Sequence, residues 1–217
     1  MSLPFESQYA RQIRRILIRT DRFLRWASGV NHVGPDSDQE GQCYHRKGLD
    51  VAWIAPVTEV FRLLKTDILL CNDHHPIQAL VTDRDEETCK FHFSNNRESS
   101  SILPLKDHRD LWPEVVYTQS ITMRTTTWPT LLKKENINSS KYQAFGMDTQ
   151  GSELDMPEGT EPLLANFEFS TTETADLEPH EGYCQLSDLN EFMSKTATEN
   201  SQKTFYQRFI LAKNTTT

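Results

Sequence analysis

Apolar positions along the chain alternate between strand spacing and helix spacing. Residues 49–55 form an apolar run, interrupted by Asp50, that ends at Pro56, and residues 57–67 carry apolar side chains at helical intervals. A second apolar run follows at 77–82. This alternation predicts βαβ crossovers, and therefore an α/β fold with a mostly parallel twisted sheet and helices on both faces.

Periodicity and turn residues predict the remaining elements in the same way. Strands are expected over 29–33, 49–55, 77–82, 86–93, 115–127, 142–147, 167–172 and 205–211. Helices are expected over 36–47, 57–67, 130–136 and 186–194. A further helix is expected to reach residue 164, although Pro157 lies inside it and a proline costs a helix interior about 3 kcal/mol or kinks it.

Length and charge limit the organisation of the chain. Its 217 residues suit one domain, here predicted over 29–212, with a basic N-terminal helix over 1–28 and a disordered tail over 213–217. The helix has two interpretations: a surface for an anionic partner, or a solvated face that pairs with the acidic C-terminal half. The formal charge of −8 disfavours nucleic-acid binding.

Other features of the sequence bear on the location in the cell and on whether a metal site is expected. The sequence has no run of about 18 apolar residues and no secretory signal, so no membrane span is expected and the predicted location is the cytoplasm. The four cysteines form no CxxC pair, which favours buried thiols and argues against a metal site. The sequence leaves homo-oligomerisation open.

Seven of the eight glycines cluster in two islands, over 29–48 and 146–159, and the turn of the first island follows the first predicted strand. There, Gly34 lets the chain turn sharply between strand and helix. The island lacks both GxGxxG and the phosphate-loop pattern, and its acids suit a cationic or zwitterionic ligand such as S-adenosylmethionine. A plain turn is the alternative, and His32 is either a ligand contact or a buried structural histidine. The predicted cofactor contacts in this region are His32, Gly34, Asp36, Gln39 and Glu40.

The second island follows the strand predicted at 142–147. Asp148 ends that strand, and Glu153 stands one turn into the next predicted helix. In a doubly wound sheet this edge faces the ligand crevice, so Asp148 is a candidate to accept a hydroxyl proton or to bind the amino group of a methyl donor. The alternative is that Asp148 caps the helix and Glu153 is solvated. The predicted substrate contacts are Gln150, Gly151 and Glu153.

These residues resemble a known family. The run 142–154 is similar to the Asp-x-x-Gly-x-Glu-Leu signature of FkbM-type S-adenosylmethionine-dependent methyltransferases, and residues 32–40 with 48–56 are similar to that family's cofactor loop and second strand. The resemblance covers about 30–212. It implies a Rossmann-like class I methyltransferase fold that methylates hydroxyl groups of sugars or related small molecules, with S-adenosyl-L-methionine as cofactor.

Within that resemblance, Asp148 is the expected acceptor-orienting or base residue and Glu173, near the end of the next strand, is the second catalytic candidate. Thr82 and Asp83 are expected at the adenine end of the cofactor. Two departures stand out: Ala55 replaces the acid that binds the cofactor ribose, and Asp38 replaces a loop glycine. The alternatives are therefore a methyltransferase-like binding or scaffold protein without catalysis, or an unrelated α/β enzyme such as a nucleotide binder.

Overall fold

The computed structural model describes residues 23–35, 38–96, 99–174, 178–196 and 204–209. In chain order the strands there are β1 (Gly29–Val33), β2 (Asp50–Ile54), β3 (His74–Ile77), β4 (Leu80–Val81), β5 (Thr88–Ser94), β6 (Tyr117–Thr126), β7 (Ala144–Met147), β8 (Phe169–Thr174) and β9 (Thr204–Phe209). The α-helices are α1 (Asp38–Lys47), α2 (Thr58–Asp67), α3 (His108–Leu111), α4 (Trp128–Lys134), α5 (Asp155–Gly159) and α6 (Leu186–Thr196). Three 3-10 turns cover Phe23–Arg25, Ser139–Lys141 and Glu161–Asn166.

The main sheet has six strands in the order β3-β2-β1-β7-β8-β9. All five neighbouring pairs run parallel. Numbered along the chain within this sheet, the order is 3-2-1-4-5-6, which is that of doubly wound Rossmann-like sheets. The α/β fold with a parallel sheet predicted from the alternating pattern is confirmed.

Helices cover both faces of this sheet, because alternate strand residues enter two separate apolar cores. Val51 and Trp53 of β2 face a core shared with α1 and α2. Ala52 and Ile54 of the same strand face a second core, to which α4 contributes Trp128 and its neighbours. The side chains of β2 are buried on both sides of the strand, which explains the apolar run in the sequence.

A smaller sheet accounts for the middle of the chain. It has the order β4-β6-β5, in which β5 and β6 form an antiparallel pair and β4 runs parallel to β6. The segment between β5 and β6 folds back, since Ser101 bridges to His92, and Leu105 bridges to His180 far along the chain. This segment therefore connects the hairpin to the region that precedes α6.

Two predicted elements are wrong in extent. The strand expected over 77–82 is divided, because the chain leaves β2 after Ile77 and pairs with β6 at Leu80. Gln78 fixes this corner through its side chain, which donates to Thr58 Oγ1 at 2.8 Å. The helix expected to reach residue 164 ends at Gly159, where an added Cβ would overlap the carbonyl oxygen of Thr82. Residues 1–22 of the predicted N-terminal helix lie outside the described residues, whereas residues 23–28 form the 3-10 turn Phe23–Arg25 and irregular chain and are not α-helical. The tail predicted over 213–217 also lies outside the described residues.

The three central strands end in a contact made of backbone alone. The N–H of Gly34, just after β1, donates to the Ile54 carbonyl at 3.0 Å, and the N–H of Asp148, just after β7, donates to the Val33 carbonyl at 3.0 Å. Gly34 has a φ of +76°, and a Cβ there would overlap the Asp148 carbonyl oxygen. Glycine is therefore required for both its conformation and its lack of a side chain.

We expect Gly34→Ala to lower the free energy of unfolding much more than Gly48→Ala. Both glycines are left-handed, with φ of +76° and +65°, but nothing lies within 4 Å of a Cβ at Gly48. Strain alone costs about 1–2 kcal/mol at either position, and the overlap at Gly34 adds about 1–3 kcal/mol. Urea denaturation of both variants measures the difference. Equal losses would show that the loops can separate without cost.

Candidate functional site

The main sheet has one point at which its strand order reverses, between β1 and β7. From there the chain adds strands outward on one side through β2 and β3, and on the other through β8 and β9. The loops that leave the carboxyl ends of β1 and β7 diverge over opposite faces and leave a crevice between them, which is where open α/β sheets bind ligands. Gly34 follows β1 and Asp148 follows β7, so both lie at this edge of the sheet, beside the point where the strand order reverses.

Asp148 is positioned by its own loop. Its backbone is fixed to β1, and its Oδ1 accepts a hydrogen bond of 2.6 Å from Gln150 Nε2. Gln150 has a φ of +57°, so the chain turns back on itself and places the two side chains together. Asp148 is half-buried. A partly exposed carboxylate oriented by an amide is suited to hold a hydroxyl group or to accept its proton.

Glu153 has a different role from the one predicted. Its side chain is 1% exposed, and both carboxylate oxygens accept from the N–H of Gly151 at 3.0 Å. Oε1 also accepts from the N–H of Thr149 at 3.1 Å. These bonds point the carboxylate into its own loop, so Glu153 shapes the turn that carries Asp148 and is not aimed at a substrate.

Burial of this carboxylate has an electrostatic cost. Desolvation raises the pKa of Glu153 to about 7, against the opposing effect of the backbone N–H groups of Gly151 and Thr149. The loop therefore contains a group that changes charge close to neutral pH.

Gly151 lies under a wall formed by two side chains from outside the main sheet. A Cβ at Gly151, whose φ is +111°, would stand 2.8 Å from Tyr183 Cδ2 and 2.9 Å from Leu103 Cδ1. Ser101 Oγ donates to the Gln150 carbonyl at 2.9 Å, and the Cys184 N–H donates to the Gly151 carbonyl at 2.8 Å. The polar segment 94–110 thus packs on the Asp148 loop. The serines of this segment are visible in the sequence, but a hydrogen-bond partner such as the Gln150 carbonyl lies far away along the chain.

Stacked aromatic rings connect β6 to Tyr183. Tyr117 of β6 stacks on His180, with ring centroids 6.5 Å apart, and His180 stacks on Tyr183 at 6.3 Å. The Tyr117 hydroxyl donates to the Leu103 carbonyl at 2.6 Å. The small sheet is therefore connected to the crevice loop through side chains, and not only through the chain itself.

His32 lies in the core beneath α1, which is the structural alternative considered above. Its Nδ1 is 3.0 Å from the Tyr44 hydroxyl, and its ring centroid is 4.9 Å from that of Trp53. The ring also fills the space beside Gly146, where a Cβ would approach Nδ1 to 3.0 Å. The prediction of a cofactor contact is therefore not supported by where the side chain lies.

Thr82 and Asp83 lie beyond β4, against α5. The Thr82 hydroxyl is buried and donates to the Arg84 carbonyl at 3.1 Å, so it serves the local turn. Asp83 pairs with Arg84 Nε at 3.1 Å. Burial, followed by the charges of Asp83 and Glu158, raises the pKa of Asp155 to about 6. Asp83, Asp155 and Glu158 thus form a second polar group beside α5, the helix that follows the Asp148 loop.

Several predicted residues cannot be compared with the structure. Asp36 lies outside the described residues. The backbone of Gln39 and Glu40 belongs to α1 and that of Glu173 belongs to β8, where it pairs with Arg208 of β9, but their side chains are outside the description. Their predicted contacts with cofactor and acceptor remain predictions.

Comparison with known proteins identifies no relative of this chain. No family model, no curated protein and no solved structure matches the chain. Among the described helices, none combines the length and the apolar content that crossing a membrane requires.

The raised pKa of Glu153 predicts a pH dependence of stability. Because the folded state binds this proton more readily than the unfolded chain, the contribution is most favourable below about pH 4.5 and is lost as the pH rises through about 7. The shift corresponds to about 3 kcal/mol. Glu153→Gln removes the titration, so the free energy of unfolding of the native protein relative to this variant should be higher at pH 5 than at pH 8.

Denaturant titrations at both pH values measure this difference. Glu114→Gln, which removes an exposed carboxylate, is the control and should change stability equally at pH 5 and pH 8. A pH-independent difference between the native protein and Glu153→Gln would contradict the assignment.

Proposed function

We propose that this chain is an S-adenosylmethionine-dependent O-methyltransferase of the Rossmann-like class I fold, similar to the FkbM type. Its acceptor is a hydroxyl group of a sugar or a related small molecule. The observation that carries the proposal is the position of Gly34 and Asp148, which meet where the strand order reverses. Those are the two residues on which the sequence resemblance depends most.

The turn at Gly34 brings the backbone ends of β1 and β7 together at the edge of the sheet where a ligand would bind, because the Asp148 carbonyl occupies the space that a side chain would take. The described part of α1 begins at Asp38, four residues after Gly34. When bound, S-adenosylmethionine supplies a methyl group activated by the sulfonium sulfur. The residues of the chain have to hold the acceptor oxygen in line with that methyl group and to remove a proton from the oxygen.

Asp148 is the residue best placed for the second task. Its carboxylate is already oriented by Gln150, and the buried Glu153 fixes the turn that carries both. The wall formed by Leu103 and Tyr183 covers the same loop. We therefore propose that the segment 94–110 selects the acceptor, because it is the part of the chain that packs onto the Asp148 loop from outside the main sheet.

One observation favours a second candidate function. Ala55, at the position where the family has its ribose-binding acid, is fully buried and belongs to the core beneath α2. Its N–H donates to the Ile77 carbonyl, as β-sheet pairing requires. Without that carboxylate the fit to the cofactor is incomplete at the ribose, which favours a binding or scaffold protein that retains the fold without the reaction.

Binding of S-adenosylhomocysteine separates the two functions. We expect titration calorimetry of the full chain to give heat of binding and a thermal shift, since the Gly34 turn and the Asp148 loop remain in place. Adenosine is the matched control, because it carries the ribose and adenine without the amino acid end. Absence of binding at millimolar S-adenosylhomocysteine would exclude the methyltransferase and leave the scaffold function.

Asp148→Asn tests the catalytic assignment. We expect methyl transfer from isotope-labelled S-adenosylmethionine to a panel of free sugars to fall about 10²–10⁴-fold, because the amide accepts no proton. Binding of S-adenosylhomocysteine should persist. Asp67→Asn, at the exposed end of α2, is the control and should leave transfer unchanged. Full activity of Asp148→Asn, or loss of cofactor binding with it, would contradict the acceptor role.

A further inference from the structure

Three potential metal ligands meet at the amino-terminal edge of the main sheet, opposite the crevice. His45 lies in the last turn of α1, Cys71 follows α2, and His74 is the first residue of β3. One donor atom from each residue lies within 4.8 Å of the others. The cysteine pattern argued against such a cluster, because the chain contains no CxxC pair and the third member of the cluster comes from a distant helix.

A turn brings Cys71 and His74 together. The N–H of His74 donates to the Cys71 carbonyl at 3.2 Å, and the N–H of Cys71 donates to the Ile68 carbonyl at 2.8 Å. The carbonyl of Asp73 accepts from the N–H of Val51 in β2 at 2.8 Å, which ties the turn to the sheet. A Cys-x-x-His turn held at both ends resembles the short ligand spacings of structural zinc sites.

His45, the third ligand, can complete the metal site with a small movement of its side chain. Zinc bonds of about 2.0–2.3 Å bring tetrahedral ligand atoms to roughly 3.3–3.7 Å from one another, so the cluster has to contract by about 1 Å. The His45 side chain is exposed and already faces His74, with ring centroids 6.2 Å apart at 82°. An exposed side chain at a helix end makes such an adjustment by rotating.

His74 is the best-defined member of the cluster. It is 6% exposed, its Nδ1 accepts from Trp53 Nε1 at 3.3 Å, and no group of the described residues bonds its Nε2. Burial, followed by the charge of His45, lowers the pKa of His74.

We propose that His45, Cys71 and His74 bind a divalent metal ion of the zinc class. Two imidazoles and a thiolate are the donors that zinc prefers, and they leave one tetrahedral position for water or a fourth ligand. The ion clamps the end of α1 to the start of β3. This site stands apart from the proposed function, because it lies at the other edge of the sheet.

Trp53 reports occupation of the site. Whichever ring nitrogen of His74 binds the metal, Nδ1 no longer accepts from Trp53, because it is then either bound to the ion or protonated. The indole N–H of Trp53 therefore changes its environment on metal binding. The other tryptophans of the chain, Trp26, Trp112 and Trp128, are not hydrogen-bonded to His74 and should not respond in this way.

The test is titration of the full, chelator-treated chain with Zn²⁺, followed by calorimetry and by the indole N–H signals in NMR spectra. We expect one ion per chain, a shift of the Trp53 signal identified with Trp53→Phe, and at least about tenfold weaker binding in His45→Gln and in Cys71→Ser. With Co²⁺ as the probe, the thiolate charge-transfer band should appear and should be absent from Cys71→Ser.

His75→Gln and Cys89→Ser are the matched controls, since they remove a neighbouring exposed histidine and a half-buried cysteine outside the cluster. Both should bind Zn²⁺ as the native chain does. Native protein that binds no Zn²⁺, or His45→Gln and Cys71→Ser that bind it with native affinity, would overturn the proposal. Binding by the native chain without a change at Trp53 would do so as well.

Discussion

The structure depends on the backbone contact between the ends of β1, β2 and β7. Gly34 bonds to Ile54, Asp148 bonds to Val33, and no side chain separates the two loops. Because this contact is made of peptide groups, its spacing is fixed by the sheet. Both loops then diverge from a common origin, one toward α1 and the other toward α5, and the crevice between them is a consequence of that separation.

The Asp148 loop is rigid because buried groups oppose its opening. The carboxylate of Glu153 substitutes for the missing hydrogen-bond partners of a turn that has two left-handed residues, Gln150 and Gly151. A solvated glutamate would leave those N–H groups to water and the turn to fluctuate. Desolvating the carboxylate costs stability near neutral pH, and the chain accepts that cost at the place where a side chain has to be held in one orientation.

What could be predicted from the sequence depends on how far apart along the chain the interacting residues lie. Strand β2 is buried on both faces, so its apolar run is clear in the sequence, and Gly34 and Asp148 follow from where the strands predicted over 29–33 and 142–147 stop. The strand expected over 77–82 was wrong, because one apolar run serves two sheets and local periodicity does not record the partner. The structural role of Glu153 and the contact made by Ser101 were not predicted for a related reason, since a buried carboxylate and a serine on a distant backbone carbonyl look like ordinary surface residues in the sequence.

The two edges of the sheet are connected through the core beneath α1. The rings of His32, Tyr44, Trp53 and His74 follow one another at centroid distances between 4.9 and 5.9 Å, from the end of β1 to the start of β3. Close-packed interiors have low compressibility and transmit strain. A cation bound at the proposed site would therefore restrain the C-terminal end of α1 and these rings, and α1 begins four residues after Gly34. The proposed cation site and the crevice thus adjoin one packed core, although no residue belongs to both.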